Sequence, residues 1–108
     1  MKYLVNDTRS FSCATGAAEY IMENCDDGYY DDLLNDVYGD IPICGYEYAA
    51  SVAFWRVDEM AYRVGQRDWE DSEARDIAYF LEQMDIGDDD FFFGYTVEAI
   101  ADDDERVA

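Results

Sequence analysis

Six aspartates, Asp26, Asp27, Asp31, Asp32, Asp36 and Asp40, fall in a stretch with no lysine or arginine, which runs unbroken from Arg9 to Arg56. Carboxylates at this density have three uses. They can trade a proton as an acid–base pair, hold a hard cation, or stand in for the phosphates of a nucleic acid. The spacing favours the third. Asp27 and Asp31 are four residues apart, as are Asp32 and Asp36; Asp40 continues the second line, and Glu19 and Glu23 repeat the interval one helix earlier. On a helix that interval sets charges about 6 Å apart along the axis. Duplex DNA carries one charge per roughly 1.7 Å of axis, both strands counted, so two such helices side by side approach a short piece of that density. Like charges at this interval cost a helix a few tenths of a kcal/mol per pair, and an ordinary surface would intersperse lysine. Asp88, Asp89 and Asp90 form a second acidic group in the 85–90 turn, and Asp102 to Glu105 form a third.

Catalysis and metal binding are poorly served. The chain has no histidine, which removes the commonest general base and the His-based triads and dyads. There is no Gly-rich phosphate loop, and Cys13, Cys25 and Cys44 lack zinc spacing. Neither 26–32 nor 85–98 matches a calcium loop, which alternates its oxygen ligands around a sixth-position glycine. The sequence therefore predicts no enzyme, no cofactor and no metal.

The elements that must position these carboxylates are legible from periodicity. Residues 2–5 read as a first strand and 6–12 as a polar connection. Ala14, Ala17, Ala18, Ile21 and Cys25 share the face of a helix over 14–24. A second amphipathic helix over 29–38 turns Tyr30, Leu33, Leu34 and Val37 inward and Asp31, Asp32 and Asp36 outward, with Gly39 as its C-cap. Pro42 breaks the pattern, and 43–48 read as a strand that Gly45 shortens or bulges. A helical region over 51–71 breaks near Asp58, with Val57, Met60, Ala61 and Val64 on one face. Ser72 caps a last helix to Met84, with Ala74, Ile77, Phe80, Leu81 and Met84 inward. Residues 91–100, aromatic and β-branched, are the clearest strand. The expected fold is α+β, in the order β-α-α-β-α-α-β. A small antiparallel sheet of about three strands, which the first and last share, packs with about four helices in a single acidic domain over 1–108, frayed beyond 101.

Composition bounds the setting. The 108 residues carry 27 acidic and 7 basic side chains, a net charge of −20, yet half the residues are hydrophobic and 17% are aromatic. That is a packed domain rather than a disordered acidic tail, with far more charge than the magnitude of about 2 to 8 that suits a small domain. The basic residues gather late: Arg56, Arg63, Arg67 and Arg75, with Glu59, Arg63, Arg67 and Asp71 at four-residue steps as local ion pairs. The N-terminus reads without a signal peptide and no stretch suits a membrane span. With three unpaired-looking cysteines, the expectation is a cytoplasmic protein with reduced thiols. Two plainer accounts of the charge stand beside nucleic-acid mimicry. Adaptation to molar salt would make the surface a response to solvent, and an acidic interaction protein would pair with a basic partner without any role in defence.

One segment carries a resemblance. From Leu33 to Ser72, Val57, Asp58, Ala61, Tyr62, Arg63, Gly65, Asp68, Trp69, Asp71 and Ser72 follow the pattern "VD-x-x-AYR-x-G-x-x-DW-x-DS" behind a tyrosine-rich strand. This resembles short acidic proteins encoded by phages and prophages; Glu59 departs from them where similar sequences open the helix with proline. The resemblance implies a class that includes DNA-mimic anti-CRISPR and anti-restriction inhibitors. The expectation is a phage-type anti-CRISPR protein acting in the host cytoplasm. It would bind no nucleic acid itself, and would offer Asp26, Asp27, Asp31, Asp32, Asp36, Asp40, Asp88, Asp89 and Asp90 to the basic channel of a CRISPR effector.

Overall fold

The structure, a computed structural model, describes residues 1–26 and 28–103. Over these residues it is α+β with four helices, a four-stranded antiparallel sheet and a two-stranded one. The chain runs β1 (Lys2–Val5), β2 (Arg9–Phe11), α1 (Ala14–Asn24), α2 (Gly28–Tyr38), β3 (Asp40–Ile43), β4 (Tyr46–Ala49), α3 (Ala50–Val57), α4 (Glu59–Glu82), β5 (Asp89–Phe92) and β6 (Tyr95–Ile100). The strand expected over 2–5 is β1 as read, but the segment after it pairs back as β2, and the strands expected over 43–48 and 91–100 are hairpins, so the three-strand count is corrected to six. The first two helices keep their places, while the two expected over 51–71 and 72–84 are divided instead at Asp58.

The reason lies in the turns. Cys44 and Gly45 have φ of 50° and 83°, and Phe93 and Gly94 have 49° and 89°. Left-handed φ at both central residues is the arrangement of a type I′ turn, whose twist matches that of the paired strands. Ile43 faces Tyr46 and Phe92 faces Tyr95 across these two-residue turns. Gly45 therefore reverses the chain rather than bulging a strand. The expected connection over 6–12 also pairs: Asn6 and Asp7 take left-handed φ, Thr8 N–H donates to the Val5 carbonyl, and Arg9 returns opposite Val5.

The chain divides into two compact units, 1–25 with 70–108 and 26–69. In the first, the strand order is β2-β1-β6-β5; the first and last strands share one sheet as expected, and they pair at its centre, Tyr3 opposite Ala99. Tyr3, Leu4 and Val5 are all buried; successive residues point to opposite faces, so β1 is covered on both. Ala17, Ala18 and Ile21 of α1, Ile77 and Leu81 of α4, and Val97 and Ile100 of β6 complete this core. Phe80, expected inward, is exposed.

The second unit holds α2, the β3–β4 hairpin, α3 and the start of α4. Tyr30, Leu34 and Tyr62 form its core, with Phe54 and Trp69 packed against them. Asp58 separates the two helices of this region. Its N–H closes α3 on the Phe54 carbonyl, and its carboxylate accepts from Ala61 N–H at 3.0 Å, a helix N-cap. Glu59 is thus the first residue of α4, a position where proline is favoured in helices generally. Ser72 does not open a helix of its own. Glu70, Glu73, Ala74 and Arg75 are good helix formers, and α4 runs through them unbroken from Glu59 to Glu82.

Candidate interaction surface

The exposed face of α2 is built by a mismatch between its two apolar stripes. Tyr30 and Leu34 turn inward to Tyr62, Phe54 and Trp69. Tyr29, Leu33 and Val37, displaced by one residue, are left outside. Periodicity alone assigns Leu33 and Val37 to the core; a helix one turn thick against its neighbours buries one stripe, and the aromatic pair takes it. Tyr30 fixes the choice. Its ring lies 5.4 Å from Tyr62 and 5.7 Å from Trp69, and its hydroxyl meets the backbone at Gly65 so closely that a Cβ there would collide with it. Burial, then the neighbouring Tyr38, Asp31 and Asp68, raise the Tyr30 phenol above its ordinary range.

Asp32 and Asp36 flank the exposed Leu33 and Val37. Both carboxylates are exposed, one helical turn apart, and neither has a hydrogen bond or ion pair among the described residues. Asp40 follows at the start of β3, also exposed. The outward face of α2 therefore alternates acid with apolar side chains.

The remaining acids have local work. Asp26 accepts from Gly28 N–H at 2.9 Å through its carboxylate and from Tyr29 N–H through its carbonyl, so it opens α2. Asp31, expected outward, is half-buried and accepts a hydrogen bond from the Tyr62 hydroxyl. Periodicity puts it beside Asp32 because both follow the inward Tyr30; the phenol on α4 draws it in. Asp27 lies outside the described residues. In the other unit, Asp88 ties the turn before β5 by accepting from Asp85 N–H at 2.9 Å, and Asp90 accepts from Phe91 N–H. Asp89 and Asp90 sit on β5, an edge strand of the sheet, where charge discourages pairing with another chain. The structure thus distributes the candidate residues: Asp32, Asp36 and Asp40 project from one unit and Asp88, Asp89 and Asp90 from the other. Glu19 and Glu23 are exposed on α1, in the first unit.

The cations of the second unit lie on α3 and α4. Arg63 is held along its helix by Glu59, at 2.8 Å, while Arg67 has no ion pair among the described residues. Met60 and Val64 stand exposed beside them; the helix face that periodicity gives them with Val57 is turned toward solvent. No described group of three or more acidic, cysteine or histidine side chains converges to hold a metal ion, and no described helix is long and apolar enough to cross a membrane. No protein-family model, curated protein or solved structure matches this chain.

Proposed function

We propose that the protein is a non-catalytic inhibitor that occupies the nucleic-acid-binding site of a host defence complex, with a CRISPR effector as the target. The observation that carries this reading is the outward face of α2. Asp32 and Asp36 project without a cation to neutralise them, from a stretch with no lysine or arginine between Arg9 and Arg56. A lysine- or arginine-lined channel that grips phosphates gains the same Coulomb attraction and the same counterion release from this ridge as from DNA.

Leu33 and Val37 add what DNA lacks. Protein contacts take their strength from desolvated apolar anchors, while charge guides encounter and register. Asp32 and Asp36 span about 6 Å of helix axis, with Asp40 just past the helix end in β3, which fits a short phosphate patch or a short base-reading motif rather than a long bent duplex. This extent favours an effector that reads a brief DNA motif over a restriction enzyme that wraps its site. Asp26 and Asp31 support the ridge from within: one opens α2 and the other ties it to α4.

The test is recovery from a bacterial lysate at about 0.1 M salt, where surface attraction still reaches about 10 Å. The tagged protein is expected to retain a nucleic-acid-binding defence complex and to lose it when duplex DNA is added. Retention unaffected by DNA would remove the mimicry.

A further inference from the structure

We infer that the protein associates with a second copy of itself reciprocally, the outward face of α2 on each chain lying antiparallel on the start of α4 of the other, so that the pair closes as a dimer. Both faces belong to the 26–69 unit, and their residue patterns are complementary. α2 offers Asp32 and Asp36 beside Leu33 and Val37; α4 offers Arg67 and Arg63 beside Val64 and Met60. Laid antiparallel, Asp32 meets Arg67, Asp36 meets Arg63, Leu33 meets Val64 and Val37 meets Met60.

The helical wheel agrees with the register. At about 100° per residue, the apolar pair follows the charged pair clockwise on α2 and again on α4, each viewed from its own N-terminus. Reversing one helix then sets acid against arginine along one side of the seam and apolar against apolar along the other. A parallel arrangement would cross them, putting carboxylates on Met60 and Val64. Pairing α4 with its own copy would bring arginine to arginine.

All four apolar side chains are available: Leu33 is 41% exposed, Val37 63%, Met60 78% and Val64 55%. Other apolar side chains are exposed too, among them Val57, Tyr79, Phe80 and Phe91; what distinguishes these four is that each pair lies beside a charged pair whose sign is opposite to that on the facing helix. The unit over 26–69 carries three basic residues, Arg56, Arg63 and Arg67, against ten acidic ones, so the attraction is confined to the start of α4, where Arg67 has no ion pair among the described residues and Arg63 would share its charge with Glu59. The contact spans about two turns of each helix and belongs with small, transient interfaces.

Self-association and the proposed target binding both use Asp32 and Asp36, and each excludes the other on a given face. The self-contact also uses Arg63 and Arg67, which target binding does not, and this separates the two. Sedimentation of the 12.5-kDa chain at about 0.15 M salt, where long-range repulsion is screened beyond about 8 Å, is expected to show mass doubling as the chain approaches about 100 μM. R63E/R67E is expected to stay monomeric, to keep its circular dichroism and to inhibit as well as wild type or better. D32R/D36R is expected to be monomeric too, and an equal mixture of the two variants to recover the doubled mass, because the swapped charges face each other. A monomeric wild type overturns the proposal whatever its inhibitory activity. So does an associated R63E/R67E variant, or a mixture of the folded variants that stays monomeric.

Discussion

Replacing Gly65 by alanine separates the packing of α2 on α4 from helix propensity alone. In an ordinary helix interior the change gains about 1 kcal/mol. At Gly65 the new methyl collides with the Tyr30 hydroxyl. That oxygen ends a movable side chain, but Tyr30 is buried at 5% exposure between Tyr62 and Trp69, so the ring has little room to swing. Overpacking a filled site costs about 1 to 3 kcal/mol, which offsets the propensity gain and leaves a net loss of about 1 kcal/mol. A chain of this size then melts about 4 to 8 °C lower. The assay is urea unfolding followed by circular dichroism, with Tyr30→Phe and the double variant completing a cycle. Removing the hydroxyl removes the collision, so Gly65→Ala is expected to stabilise the Tyr30→Phe protein by about 1 kcal/mol. A Gly65→Ala protein more stable than wild type would refute the placement of α2 against α4, and with it the outward direction of Asp32 and Asp36.

Three further changes probe other parts of the molecule. Tyr62→Phe leaves the half-buried Asp31 carboxylate without its phenol donor and is expected to cost about 1 to 3 kcal/mol in denaturant unfolding, while the binding of the proposed target by the folded fraction is unchanged. Burial, then Asp76, raise the Glu73 carboxyl above its ordinary value. A raised folded-state value means that the folded protein loses stability as pH climbs from the unfolded-state value through the folded one. Glu73→Gln is therefore expected to be more stable than wild type at neutral pH, by a margin that shrinks as the pH is lowered toward about 4; a margin that grows on acidification would contradict this. Cys44 holds a left-handed φ of 50° before Gly45. Cys44→Asn supplies the residue favoured in a type I′ turn, and a gain of about 0.5 kcal/mol in thermal unfolding is expected, as for other turn-compatible substitutions; a loss would contradict the turn geometry.

The helices are readable in the sequence because their signals are local. Ala14, Ala17, Ala18 and Ile21 specify α1 by spacing alone, and the expected bounds match the observed Ala14–Asn24. Asp58 is readable as a break because an aspartate before a fresh apolar period is a cap wherever it occurs. The hairpins are not readable. Cys-Gly and Phe-Gly are weak turn signals beside Asn-Gly, and it is pairing across the turn that makes Cys44 and Phe93 accept a left-handed conformation. The continuity of α4 through Ser72 is hidden for the opposite reason: serine favours caps, but nothing before it ends the helix.

The candidate surface is legible as charge and not as shape. Sequence spacing places Asp31 and Asp32 together on the outside; the Tyr62 hydroxyl, 31 positions away, draws one of them in. Spacing also assigns Leu33 and Val37 to the core. Two apolar stripes on α2 compete for one buried face, and the winner is set by aromatic partners on α3 and α4 that no local pattern reveals. The exposed stripe turns a purely acidic ridge into an acidic and apolar one.

If the outward carboxylates of α2 bind where a defence complex binds DNA, the most direct measurement is the affinity of the purified target for wild type and for Asp32→Lys/Asp36→Lys, with and without duplex DNA. Both side chains are exposed and unpaired among the described residues, so the double variant should fold. Wild type and DNA are expected to displace each other, and the double variant to lose at least about tenfold in affinity, the equivalent of about 1.4 kcal/mol. Undiminished binding by the folded double variant, or simultaneous binding of DNA and wild type, would contradict the proposed mimicry.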